Sequence, residues 1–164
     1  MLLKGSCHCG AVSFTVNSHT PYPFMLCYCS ICRKTQGGGG CSINIMGLSK
    51  SLKVEGKKNL KFFRARLDDP DKPGRKYLSP MKRYFCGRCG SALYGSDPRW
   101  KRWIYPFASA IDTPLPKAPE RIHLMLDSAA PWVRIPKGKN DKHFPEYPEE
   151  SILGWHKKRK LDVK

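Results

Sequence analysis

The sequence predicts a mostly β chain of short antiparallel strands with one or two short helices. Three observations predict it. Apolar and polar residues alternate over short runs, as where Val12, Phe14 and Val16 stand against Ser13 and Thr15, the period of a half-buried strand. Fourteen glycines and fourteen prolines are spread along the chain, which argues for many short elements rather than long helices. Close-spaced cysteines stand where these runs begin or end, at Cys7 and Cys9 and at Cys86 and Cys89.

Residues 2–10, L-L-K-G-S-C-H-C-G, lead through a Cys-x-Cys-Gly knuckle into a strand at 11–16. In such a knuckle backbone N–H groups turn towards the sulfurs, and Gly10 tolerates the positive φ this needs. Residues 17–21, N-S-H-T-P, form a turn. Cys27, Cys29 and Cys32 follow in F-M-L-C-Y-C-S-I-C-R-K. Their spacing fits one face of neither helix nor strand, so a turn-like backbone wrapped around a metal is expected there. Four glycines at 37–40 form a loop, without the G-K-[ST] ending of a phosphate cradle. Strands are expected at 41–46, 51–54 and 60–65, and a polar surface loop carrying Pro70, Pro73 and Pro80 at 67–80. Residues 81–94, M-K-R-Y-F-C-G-R-C-G-S-A-L-Y, read as strand, Cys-x-x-Cys-Gly knuckle and strand, the zinc-ribbon arrangement. Further strands are expected at 103–107 and 122–126, with an extended proline-rich connector at 112–119. A short helix over part of 146–156 puts Ile152, Trp155 and His156 on one side. The chain reads as one domain over 1–154, with a basic, mobile tail over 155–164.

With 164 residues, 40% of them hydrophobic and 11% aromatic, the chain supports a real core and is not wholly disordered. No apolar run approaches the ~20 residues that span a bilayer, and no hydrophobic leader opens the sequence. A soluble cytoplasmic protein with no membrane association is expected. In that reducing setting, eight close-grouped cysteines point to metal rather than disulfides. The formal charge is +17, and seven thiolates on two Zn²⁺ would lower it only to about +14. Such a surplus favours anionic partners, whether a carboxylate-bearing small molecule, nucleic acid or an acidic surface.

The cysteines divide into four and three. Cys7, Cys9, Cys86 and Cys89 can close one Zn²⁺ site and staple the sheet, since a structural zinc takes four ligands. Cys27, Cys29 and Cys32 then leave a vacancy, the mark of a reactive ion. The fourth position is open to water, a substrate thiolate, Cys41, His123 or His143. For Cys41 a small buried hydrophobe is the simpler reading. For His8 it is surface exposure, for Asp127 the satisfaction of a turn, and for Trp132 the core.

The three cysteine motifs, with G-S-C-H-C-G-A-V-S-F, R-Y-F-C-G-R-C-G-S-A-L and the later H-L-M-L-D-S-A-A-P-W, resemble the glutathione-dependent formaldehyde-activating enzyme family, which also includes centromere protein V. The resemblance runs over about residues 2–152. It implies a β-tent fold of antiparallel sheets. It also implies structural zinc at Cys7, Cys9, Cys86 and Cys89, and catalytic zinc at Cys27, Cys29 and Cys32.

The function expected is that of a zinc-dependent carbon–sulfur lyase-like enzyme, joining a glutathione-like thiol to an aldehyde or splitting their hemithioacetal. Arg33 and Lys34 would offset the charge of the three-thiolate centre and draw in carboxylates. The alternative is a non-catalytic, zinc-stapled basic module for nucleic acid or another acidic partner, resting on the charge and on Lys57, Lys58, Lys61, Arg64 and Arg66. No stacking platform interleaved with those basic residues favours it. A third reading makes the second metal purely structural, completed by Cys41 or a histidine.

Overall fold

The computed structural model describes residues 1–36 and 38–163, and the four-glycine loop is therefore described from Gly38 onward. In chain order its strands are β1 (Leu2–Ser6), β2 (Ser13–Asn17), β3 (Met25–Cys27), β4 (Ser42–Ile43), β5 (Gly47–Leu48), β6 (Lys53–Glu55) and β7 (Leu60–Phe63). They continue as β8 (Arg66–Asp68), β9 (Lys76–Leu78), β10 (Lys82–Cys86), β11 (Ala92–Ser96), β12 (Trp103–Pro106), β13 (Arg121–Leu124) and β14 (Asp141–His143). The helices are α1 (Ser30–Gln36) and α2 (Ile152–Lys158). The fold is mostly β, as the alternation and turn residues predict. No helix among the described residues is long and apolar enough to cross a membrane.

Three sheets position the cysteines. One has the order β1-β2-β6, a second β5-β12-β11-β10-β7, and both are antiparallel. The third, β14-β13-β3-β4, is mixed, because β13 runs parallel to both β14 and β3. Two cores follow. The first packs Leu3, Phe14, Val16, Ile45, Leu93 and Ile104 between the antiparallel sheets, with Cys7 and Cys86 at its edge. The second packs Phe24, Ile122, Leu124 and Trp155 with Cys27 and Cys32.

Several expectations are corrected. The region 67–80 is a hairpin, β8 on β9. Arg64 pins its base by donating to the carbonyls of Ser79 (2.7 Å) and Leu78 (3.1 Å). Pro70 and Pro73 fall in its turn, where a missing N–H interrupts no ladder. Only Ser42–Ile43 of the 41–46 run joins a strand, since Asn44 and Met46 make single bridges to Phe107 and Thr20 as the chain crosses between sheets. Of 51–54, Ser51 closes a 3₁₀ turn and pairing starts at Lys53. β13 stops at Leu124 because Met125 takes φ 60° and opens a 3₁₀ turn. Trp132 is 64% exposed rather than core: it stands at the outer corner of a turn closed by Val133 N–H to Ala130 O (3.0 Å), and Ala130 takes the buried place. The cysteine trio is held by a strand-to-helix corner, with Cys32 inside α1. Residues from 155 onward are not a separate tail. Trp155 and His156 are fully buried, Leu161 packs on the second core, and Val163 N–H bonds to His19 O (2.9 Å).

Candidate metal centres

Cys7 and Cys9 sit in the turn from β1 to β2, and Cys86 and Cys89 in the turn from β10 to β11. Gly10 N–H closes the first turn onto Cys7 O (3.0 Å), and Gly90 N–H closes the second onto Cys86 O (2.8 Å). Both glycines have positive φ, 70° and 76°, the left-handed conformation that a side chain disfavours. The four sulfurs all lie within 4.8 Å of one another, with Cys7–Cys9 at 3.7 Å and Cys9–Cys86 at 3.9 Å. A tetrahedral ion with Zn–S near 2.3 Å spaces its sulfurs about 3.8 Å apart, so the set fits Zn²⁺. A disulfide needs about 2.05 Å, and all eight cysteines are free. The Val12 amide donates to Cys7 Sγ (3.2 Å). The Ser91 hydroxyl at 3.3 Å holds the Cys89 thiol down at about 5.

Cys27 ends β3, Cys29 lies in the corner, and Cys32 is in the first turn of α1. Their sulfurs also fall within 4.8 Å of one another, and the group contains no fourth donor among the described residues. Cys27 and Cys32 are buried, and Cys29 is partly buried. The Cys27 and Cys32 thiols and the Cys32 and Ile31 amides converge on the Cys29 sulfur, holding its pKa far below the ordinary thiol value. Cys27 is pushed up by the same neighbours, Cys29 first. Three sulfurs drawn together with no fourth donor among the described residues suit a soft, N/S-preferring ion with a position left for a ligand.

The other donors considered for that position are engaged elsewhere. Cys27 pairs with Leu124 and Ser42, whereas His123 pairs with Leu26. Neighbours along a strand point to opposite faces, so His123 stands on the far side of the sheet from Cys27. There its Nδ1 shares a hydrogen bond with the Tyr28 hydroxyl (2.9 Å), and its Nε2 lies 3.4 Å from Asp141 Oδ1. His143 stacks on His123 (5.1 Å, 11°) and donates from Nε2 to Pro136 O (2.7 Å). Cys41 is half-buried beside the Tyr28 hydroxyl, its pKa raised by burial. His8 and Asp127 are exposed.

Arg33 and Lys34 line a cleft of about 510 Å³ that runs past Thr35, Gln36 and Ser109 to the Cys89–Ala92 turn. Its lining includes Cys89 of the first cysteine group and Arg33 and Lys34, the two residues that follow Cys32 in the chain. Sequence reasoning passed over Gln36, Ser42 and Arg83. The buried Ser42 hydroxyl faces the Cys32 sulfur. Arg83 shares its strand face with Phe85, a parity visible in the sequence, but without α1 in view nothing marked what that face meets.

The family model for glutathione-dependent formaldehyde-activating enzymes matches residues 2–126. The chain belongs to that family. It is 51% identical over 162 residues to a Halomonas elongata protein that carries the provisional name glutathione-dependent formaldehyde-activating enzyme, covering 99% of each chain. It also aligns with the crystal structure of a Rhodobacter sphaeroides protein at a TM-score of 0.48 and 24% identity, over 69% of this chain and 91% of that one.

Proposed function

We propose that this member of the family catalyses carbon–sulfur bond formation and cleavage between a glutathione-like thiol and an aldehyde, formaldehyde being the aldehyde its relatives are named for. The observation that carries the reading is a group of three sulfurs with no fourth donor among the described residues, ending on the helix whose Arg33 and Lys34 line a basic cleft. Zn²⁺ held by Cys27, Cys29 and Cys32 would lower the pKa of a substrate thiol so that its thiolate exists at neutral pH. Cys7, Cys9, Cys86 and Cys89 hold the other zinc and brace the strand ends. Arg33 and Lys34 offset the negative charge of the cup and draw in the carboxylates of the thiol. The thiol sulfur forms a bond to the carbonyl carbon, the C=O π bond breaks, and the proton lost by the thiol ends on the new hydroxyl. The reverse splits a hemithioacetal. Family membership favours this enzyme over the basic binding module, and the high charge serves to collect an anionic substrate in the cytoplasm.

Cobalt-substituted protein should change its absorption on addition of glutathione, and Cys29→Ala should abolish the change while leaving the chain folded. A wild-type spectrum indifferent to millimolar glutathione would overturn the reading.

A further inference from the structure

A long groove on this molecule is lined by no cysteine. It consists of two adjoining cavities, of about 670 Å³ and 550 Å³, which share Ser49 at their junction. Lys53 and Lys57 line the first, and Lys50, Lys101 and Arg102 line the second. No carboxylate lines either. All five cations are exposed, and none takes part in an ion pair among the described residues. The Arg102 guanidinium rests on the Trp103 ring at 4.9 Å. A groove lined by charges of one sign focuses the field and concentrates ions of the other.

Only strand pairing gives the groove its aromatic floor. Tyr84 of β10 and Tyr94 of β11 stand opposite each other, stack at 4.8 Å and 29°, and line the first cavity. Phe62 of β7 stands opposite Tyr84 with ring centroids 5.8 Å apart, so it shares that face and carries the row of rings outward to the sheet edge. Phe62 is 51% exposed, and Lys82 Nζ lies 4.8 Å from its ring. A partner that covers this ring gains apolar area that the fold itself leaves in water.

Positive charges spaced along a groove call for a linear polyanion, and flat rings at one end call for flat groups upon it. A single-stranded nucleic acid brings both, a phosphate at every nucleotide and an unstacked base with a π-face. A duplex keeps its base faces against one another and offers mainly phosphates. An acidic protein matches the charge but makes no use of the rings. A second copy of this chain, at +17, is repelled.

We propose that this groove binds single-stranded nucleic acid, with phosphates on Lys50, Lys53, Lys57, Lys101 and Arg102 and a base stacked on Phe62 and Tyr84. The surface is separate from the cysteine trio, and the proposal does not depend on the thiol chemistry proposed there.

Fluorescence anisotropy on the zinc-loaded full chain tests this with two probes of equal length, an oligothymidylate and an abasic deoxyribose-phosphate strand. The logarithm of the oligothymidylate binding constant should fall linearly with the logarithm of salt concentration. Replacing Lys53 and Lys57 together by Gln should flatten that slope by about 1.4, since each single-strand phosphate contact contributes about 0.7. Phe62→Leu should weaken the oligothymidylate at least about fivefold with the slope unchanged, and should leave the abasic strand unaffected. Replacing Lys137 and Lys139, which line neither cavity, by Gln should change the slope far less. Zinc content and circular dichroism equal to wild type certify each variant, and the lysine pair carries the test if Phe62→Leu does not fold. No binding by wild type at about 50 mM salt overturns the proposal. So does equal flattening by the Lys137 and Lys139 pair, which would mean diffuse attraction to net charge. Polyglutamate competing as well as the oligothymidylate, or Phe62→Leu binding it like wild type, would replace nucleic acid by an acidic polypeptide.

Discussion

Trp155→Ala should cost the domain about 5 kcal/mol. The indole is fully buried, stacks on Phe24 at 3.8 Å and 9°, and donates from Nε1 to Glu120 Oε1 (2.7 Å). The Arg159 guanidinium covers its ring at 4.7 Å. Removing a buried tryptophan side chain costs about 3–5 kcal/mol through lost transfer energy and the cavity left behind. Loss of the stacked pair adds about 0.5–1.5 kcal/mol. Glu120 keeps Lys142 (3.1 Å) and Arg159 as partners, so the lost donor contributes little more. Against a typical total of about 5–15 kcal/mol the change is severe. Trp155→Phe keeps the stack and most of the area, and should cost only about 1–2 kcal/mol. Urea unfolding of the zinc-loaded protein measures both. Cys27 and Cys32 share this core, so Trp155→Ala should also lose metal from the trio before it loses metal from the other cluster. Stability within about 1 kcal/mol of wild type, for Trp155→Ala or for a chain cut after residue 154, would refute the claim that α2 completes the second core.

The two cysteine groups should respond differently to a single deletion. Cys86 is fully buried in the first core and supplies one of four sulfurs, so Cys86→Ala should leave the chain unfolded by circular dichroism even with zinc present. A folded Cys86→Ala protein with full zinc content would contradict the bracing role. Acid should destabilise the fold through its buried histidines. The His156 ring accepts from Tyr22 N–H (3.2 Å), lies 2.8 Å from Ile152 O, and has its pKa lowered first by burial, as does His123. The unfolded imidazoles take protons near pH 6.5 while the folded ones do not. Stability is therefore full above that pH and falls as pH drops towards the folded values, by up to about 1.4 kcal/mol per pH unit for each histidine. Between pH 6.5 and 5 the slope should be shallower in His156→Gln; identical slopes would remove His156 from the account.

What could be read from the sequence was local. A Cys-x-Cys-Gly or Cys-x-x-Cys-Gly segment has few ways to turn its sulfurs inward, so Gly10 and Gly90 announce the knuckles before any fold is known. The alternation at 12–16 named a strand because one face of it packs on a core. The short run 41–46 misled because its pairing is shared between two sheets, and 67–80 because prolines in a hairpin turn look like prolines in a loop.

By itself the sequence determined which cysteines group together and that the chain is mostly β, since spacing and alternation are carried by neighbouring residues. The tertiary structure alone decided that His123 faces away from Cys27, that Trp132 is outside and Trp155 inside, and that Gln36 and Arg83 share a cavity. Each depends on pairing segments far apart in the chain, such as β3 with β13 nearly a hundred residues later. The free energy of such pairing lies in surfaces that meet only once the chain has closed on itself.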